Sequence, residues 1–196
     1  MDTRKHTITR NHKPLKDAHD GVRALSEVER LIRRTGLSSR ELGRLGEEYV
    51  SLWLQNQGWR IVTRNWHCRY GELDIIALDP SPNLVFIEVK TRRSTTYGPP
   101  CEAVGPAKQQ RCRRAAVQWL IGHDQDPLIR HQGTRFDVVT LTIGDQTLNS
   151  GISTSPGGVD SDMRIMSTDD RPERLRPRAS GWSPDSIFLR HIREAF

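Results

Sequence analysis

Cysteine is scarce, long apolar runs are missing, and the chain has no internal repeat. The three cysteines, Cys68, Cys101 and Cys112, are odd in number and stand 33 and 11 residues apart. That spacing matches neither a zinc-ligand pattern nor a disulfide framework, and it points to a reducing compartment. No apolar run approaches the roughly 18 residues of a membrane span, and the N-terminal stretch lacks the apolar segment of a signal peptide. A cytoplasmic protein without a membrane partner is expected.

What is present is charge, with basic residues in excess. Against 24 Asp and Glu stand 30 Lys and Arg, a net charge of +6 over 196 residues, with a pI near 9.6. Such a balance suits polyanionic partners, nucleic acid above all. The length holds one domain of ordinary size with tails. Residues 1–37 read as a loosely ordered basic arm, with a short helical possibility at 24–34. Residues 38–143 carry the periodic segments of a core, 144–183 are rich in Ser, Gly, Asp, Pro and Arg and read as a disordered insertion, and 184–196 return as an edge strand with a short terminal helix.

Within the core, Ser38-Ser39-Arg40-Glu41 has the capping-box form and opens a helix that should stop at Gly58. Leu42, Leu45, Tyr49, Leu52 and Trp53 recur at helical spacing, and Glu47 and Glu48 fall on opposite borders of that stripe. Residues 59–62 suggest a strand, followed by a segment, 64–70, that interleaves cations with aromatics, a pattern that suits a nucleic-acid strand but also a core Trp. A second helix should start at Gly105-Pro106 and reach about Ile121, with Cys112, Ala115, Ala116, Trp119 and Leu120 as its apolar stripe and Lys108, Arg111 and Arg114 on another face. Residues 136–142 read as a further strand.

The most informative stretch is 71–93. Two apolar runs, 73–78 and 84–89, flank Asp79-Pro80-Ser81-Pro82-Asn83, which is a hairpin signature. If 79–83 form the loop, Leu78 faces Leu84, and counting back sets Asp74 opposite Glu88 with Lys90 on the same face. Like charges so placed are destabilising unless neutralised, and a divalent cation with hard-oxygen preference, Mg²⁺ or Mn²⁺, suits the pair. The bland alternative is a solvated face in which Glu72 opposes Lys90 in a cross-strand ion pair.

The arrangement Asp74, then Glu88-Val89-Lys90, resembles the metal-binding core of the restriction-endonuclease-like nucleases, Asp followed by (Asp/Glu)-x-Lys. More narrowly, GELDIIALD at 71–79, LVFIEVKTR at 84–92, Tyr97-Gly98, Glu102-Ala103-Val104 and Lys108-Gln109-Gln110-Arg111 are similar to the YraN family of small bacterial proteins (UPF0102). The likeness covers roughly 40–143 and resumes at 191–196; the insertion at 144–183 departs from it. It implies an α/β fold, a restriction-endonuclease-like α/β/α core with a mixed central β-sheet. The family's Gly-x-x-Gly-Glu pattern selects Glu47 over Glu48, and resemblance to archaeal Holliday-junction resolvases agrees.

The resemblance further implies metal-dependent phosphodiester hydrolysis. Asp74, Glu88 and the Val89 backbone carbonyl would hold the metal, Glu47 would bind a second ion or orient its water, and Lys90 would help activate the attacking water and stabilise charge on the phosphate. Residues 91–100 read as a basic loop whose Arg92 and Arg93, with Lys108, Arg111 and Arg114, would meet a phosphate backbone. DNA is expected more than RNA, with branched DNA and a homodimer as further expectations from the resolvase likeness. The alternative function is a non-catalytic nucleic-acid-binding protein of the same fold, or a partner of another nuclease.

Overall fold

The structure is a computed structural model that describes residues 18–94, 104–123, 125–144 and 187–196. Two helices come first, α1 (Ala18–Ile32) and α2 (Ser39–Asn56), then three strands, β1 (Arg60–Cys68), β2 (Gly71–Leu78) and β3 (Asn83–Ser94). Helix α3 (Pro106–His123), one 3-10 turn (Pro127–Ile129), β4 (Gly133–Gly144) and β5 (Ile187–Ile192) complete the fold.

The capping box forms as its sequence requires. The Ser38 hydroxyl accepts the Glu41 N–H at 3.3 Å, and the Glu41 carboxylate accepts the Ser38 N–H at 2.9 Å. Two of the helix's orphan donors are thereby satisfied. At the other end Gly58 takes a φ of +81°, which a residue with a Cβ adopts only under strain. The stripe Leu42, Leu45, Tyr49, Leu52 and Trp53 is buried throughout.

The sheet is mixed, in the order β1-β2-β3-β4-β5. All neighbours are antiparallel except β3 and β4, which pair in parallel from Asn83↔Gly133 to Ser94↔Gly144. Parallel neighbours need a crossover, and α3 supplies it. Successive strand side chains alternate between faces. Ile75, Ala77, Val85, Ile87, Val89, Val139 and Leu141 therefore pack under α1 and α2. Ile76, Leu78, Leu84 and Phe86 pack against Cys112, Ala115, Ala116 and Trp119 of α3. The result is an α/β/α sandwich with a mixed central sheet.

Four sequence expectations change. The basic arm assigned to 1–37 contains α1, because Leu25, Val28 and Ile32 line up at helical spacing and bury against α2, outweighing the charges between them. The segment after residue 62 is not a connector but the continuation of β1, which pairs with β2 as far as Cys68↔Gly71. The loop expected from residue 91 begins later, since Thr91, Arg92 and Arg93 are held in β3 by their parallel pairing with β4. After β5 the chain turns at Glu194, φ +50°, and the Ala195 N–H donates to the Phe136 carbonyl at 2.8 Å, so no terminal helix forms. Tyr97-Gly98, Cys101, Glu102-Ala103, the rest of the expected loop, residues 1–17 and nearly all of the 144–183 insertion lie outside the described residues. Among the described residues no helix is long and apolar enough to cross a membrane.

Candidate functional site

The loop between β2 and β3 sets the register. The Asp79 carboxylate accepts the N–H groups of Ser81 at 2.9 Å and Asn83 at 2.8 Å, closing a turn that its prolines already favour. Leu78 then faces Leu84, and the ladder continues to Ile75↔Ile87. There it opens, one pair short of the carboxylates. Beyond that point the Asp74 side chain takes the place of a backbone acceptor, receiving the Val89 N–H at 2.8 Å. A residue's N–H and C=O leave an extended strand on the same edge, so the Val89 carbonyl also projects toward β2.

Asp74 and Glu88 are 9% and 5% exposed. Burial first, and then the charge of Glu88, pushes the Asp74 carboxyl up to about 7, against the opposing pull of the Val89 N–H. Glu88 is better compensated. Lys90 lies 2.9 Å from its Oε1 and Lys108, on the first turn of α3, lies 3.2 Å from its Oε2. The Cys112 thiol, 3.8 Å from Oε2, completes the surroundings. Burial, and the same Glu88 charge, push that thiol up to about 11, so it stays protonated and is no nucleophile.

Glu47 reaches the site because α2 lies very close to β3. A Cβ built on Gly46 would sit 1.8 Å from the Thr91 hydroxyl, so only glycine permits this approach. Half-burial raises the Glu47 pKa; a hydrogen bond from the Asn65 side chain and the Arg64 charge oppose the rise, and Glu72 and Glu88 add to it. Asn65 has a φ of +51°, a conformation that asparagine tolerates better than most residues. Its neighbours pair as Arg64↔Ile75 and Trp66↔Leu73, which sets Asn65 across from Asp74.

The donors present fit a hard divalent cation. Two buried carboxylates approach each other with a backbone carbonyl on the same edge, and one of the two is driven toward protonation by burial and then by the charge of the other. Among the described residues no group of three or more Asp, Glu, His or Cys is gathered at metal-holding distance. Water or phosphate oxygens would have to supply the remaining positions, as Mg²⁺ commonly allows. Glu47 acts on both carboxylates through its field.

The basic residues divide. Arg92 shares the Lys90 face of β3, by strand alternation. Arg93 donates to the Ile32 and Arg34 carbonyls, tying β3 to the end of α1. Arg111 and Arg114 are exposed on α3. Lys108 instead turns toward Glu88 and Glu72, the latter at 3.5 Å. Glu72, which the bland reading paired with Lys90, faces Lys108 and His67, both at 3.5 Å. The inward turn of Lys108 had no distinguishing sequence signal: it precedes the buried Cys112 by four residues, but the exposed Arg111 precedes the buried Ala115 by the same interval. Asn65 had none either, because its backbone conformation follows from the strand pairing around it.

The family described as "Uncharacterised protein family UPF0102" matches residues 46–141. A UPF0102 protein of Bifidobacterium longum is 50% identical over 107 residues, 55% of this chain and 85% of the relative. One from Mycobacterium sp. strain KMS is 43% identical over 120 residues, 61% of this chain and 86% of the relative. One from Arthrobacter sp. strain FB24 is 50% identical over 100 residues, 51% and 80% of the two chains. The matched segment contains Gly46, Glu47, Asp74, Glu88, Lys90 and Lys108, and the chain belongs to the UPF0102 family.

Proposed function

We propose that this protein is a metal-dependent endonuclease that hydrolyses phosphodiester bonds of DNA, with Mg²⁺ or Mn²⁺ held by Asp74, Glu88 and the Val89 carbonyl. The observation that carries the reading is the burial of two opposed carboxylates at the point where β2 and β3 separate, with Lys90 2.9 Å from one of them. Such a metal, when bound, lowers the pKa of water and draws charge from a phosphoryl oxygen. Everything else falls to the chain. Asp74 is fixed by the Val89 N–H, so its second oxygen is the free one. Lys90 keeps 44% of its side chain exposed and spans from Glu88 to solvent, where it can meet an attacking water and the phosphate. Glu47, steadied by Asn65, orients a water or holds a second ion from the α2 side.

Arg92, Arg111 and Arg114 line the approach as phosphate contacts, and Lys108 joins them only if it leaves Glu88. Branched DNA and a homodimer belong to the same reading. One observation favours a second one: both Glu88 oxygens already have an ammonium partner, so the site is partly neutral without metal. That suits a non-catalytic nucleic-acid-binding protein, or a partner of another nuclease.

A panel of labelled DNA and RNA strands, duplexes, flaps and junctions, incubated with Mg²⁺ or Mn²⁺, separates the two. Cleavage of DNA by the wild type, lost in Asp74→Asn and Glu88→Gln while binding in EDTA persists, is the expected outcome. Binding without cleavage across the panel would instead select the second reading.

A further inference from the structure

Lys108 occupies an unusual place. It stands in the first turn of α3, where the helix dipole disfavours a cation. No acidic residue in that turn offsets the placement. What holds it are carboxylates from two strands, Glu88 at 3.2 Å and Glu72 at 3.5 Å. Its side chain is only 20% exposed, against 44% for Lys90. Lys90 is next but one to Glu88 on the same strand, so proximity follows from the chain; Lys108 reaches Glu88 only because α3 docks there.

We propose that Lys108 is the resident counter-ion of the carboxylate site, and that it exchanges Glu88 for a phosphate oxygen of the substrate when a divalent cation is held by Asp74 and Glu88. The inference rests on the metal reading of that pair. An ammonium bonded to Glu88 Oε2 and a dication on the same carboxylate repel and compete for one oxygen, so Lys108 gives way. Its stem is flexible and its base is anchored on α3, so the freed ammonium stays at the mouth of the site beside Arg111. There it is a point charge for phosphate. Metal and phosphate binding are then coupled through one side chain, each favouring the other, and by linkage the coupling is reciprocal. Without substrate, Lys108 keeps the affinity for metal low.

The test is Mn²⁺ titration by calorimetry of the wild type and Lys108→Gln, with and without a non-cleavable phosphorothioate DNA duplex. Loss of the competing ammonium should tighten Mn²⁺ binding without DNA by about fivefold or more. The DNA-induced gain in Mn²⁺ affinity should be larger in the wild type than in the variant, which keeps only what phosphate oxygens add as metal ligands; an equal gain in both counts against the exchange. Equal or weaker Mn²⁺ binding by a folded Lys108→Gln, with the wild type binding metal, overturns this inference and leaves the metal reading standing. No Mn²⁺ binding by either protein overturns both. A measurement on the unmodified protein guards against a variant that does not fold. Acetylation of the Lys108 amine, followed by mass spectrometry, should speed up several-fold in Mg²⁺, and an unchanged Lys108 rate at a Mg²⁺ concentration that raises the melting temperature counts against the exchange.

Discussion

Two buried carboxylates sit at adjacent levels of the sheet and are treated in opposite ways. Asp137, paired across the ladder with Ile87, is fully buried, and donors surround it. Arg135 Nε lies 3.0 and 3.3 Å from its two oxygens, His191 Nε2 donates at 2.8 Å and the Glu194 N–H at 3.1 Å. The other end of Arg135 reaches Asp79, and the indoles of Trp53 and Trp59 flank His191 at 5.8 and 5.7 Å. Asp74, two strands over on β2, has a single backbone donor and a like charge as neighbour. The first arrangement fastens β5 and the turn after it to the core. In the second, Lys90 and Lys108 meet Glu88 directly, and Asp74 is left with the weaker compensation of one backbone N–H and the more distant Lys108 charge. Burial is common to both acids; what differs is how many donors meet each one.

The sharpest way to break this contrast is to remove each acid in turn. Asp137→Ala strands Arg135 and His191 and should lower unfolding stability by about 3–5 kcal/mol. Asp74→Asn in EDTA relieves repulsion and should leave stability unchanged or raise it. Equal shifts of the denaturant midpoint in the two variants would erase the distinction. Next in size is the response to metal. At a hundred times its dissociation constant, Mn²⁺ should stabilise the wild type by about 2.7 kcal/mol, a rise of several degrees in the melting temperature. Asp74→Asn should show none of that rise, whereas Asp137→Asn, if it melts cooperatively, should keep it.

A third comparison uses the glycine that brings Glu47 to one cluster and not the other. Gly46→Ala forces a methyl onto Thr91, and overpacking of this kind costs about 1–3 kcal/mol. Adding Thr91→Ala should restore part of the loss in a thermal melt, since the Thr91 hydroxyl is the nearest obstacle. A silent Gly46→Ala would show that α2 is free to shift and that Glu47 is not fixed. The pH dependence tests the same contrast from the proton's side. The folded Asp74 carboxyl is raised to about 7 from its ordinary value of 3.8, so the folded state binds the extra proton. Its contribution to stability is present below about 4 and is lost as pH rises through about 7. Urea denaturation in EDTA should show the wild type losing stability relative to Asp74→Asn across that window. Below pH 7 protons also compete with metal, and Mn²⁺ affinity should fall by up to about tenfold per pH unit, which is about 1.4 kcal/mol.

The hairpin was legible because its punctuation is local. Asp79, two prolines and Asn83 fix the loop, and a period of two then dictates every facing pair from Leu78↔Leu84 to Ile75↔Ile87. The capped start of α2 and the apolar stripe of α3 were legible for the same reason. What the sequence hid depends on distant partners. Arg92 and Arg93 look like loop residues until β4 pairs with them, and α1 looks like a charged tail until α2 offers its apolar side. The opening of the ladder at Asp74 was also hidden, because a side chain that replaces a backbone acceptor leaves no mark on hydrophobic periodicity. The charges of Arg111 and Lys108 look alike in sequence, and only the docking of α3 separates an exposed cation from one drawn onto Glu88.

The Asp79-closed loop also bears on the order in which the molecule assembles. A hairpin closed over five residues forms on the microsecond scale, whereas the parallel β3–β4 ladder waits for the whole α3 crossover and its loop-closure entropy. The two acids are thus brought toward each other by an early, local event, with Lys90 travelling on the same hairpin as their first counter-charge. Lys108 arrives later, with α3. The repulsion falls on the nascent hairpin, and the slower half of the domain closes over charges whose spacing is already set.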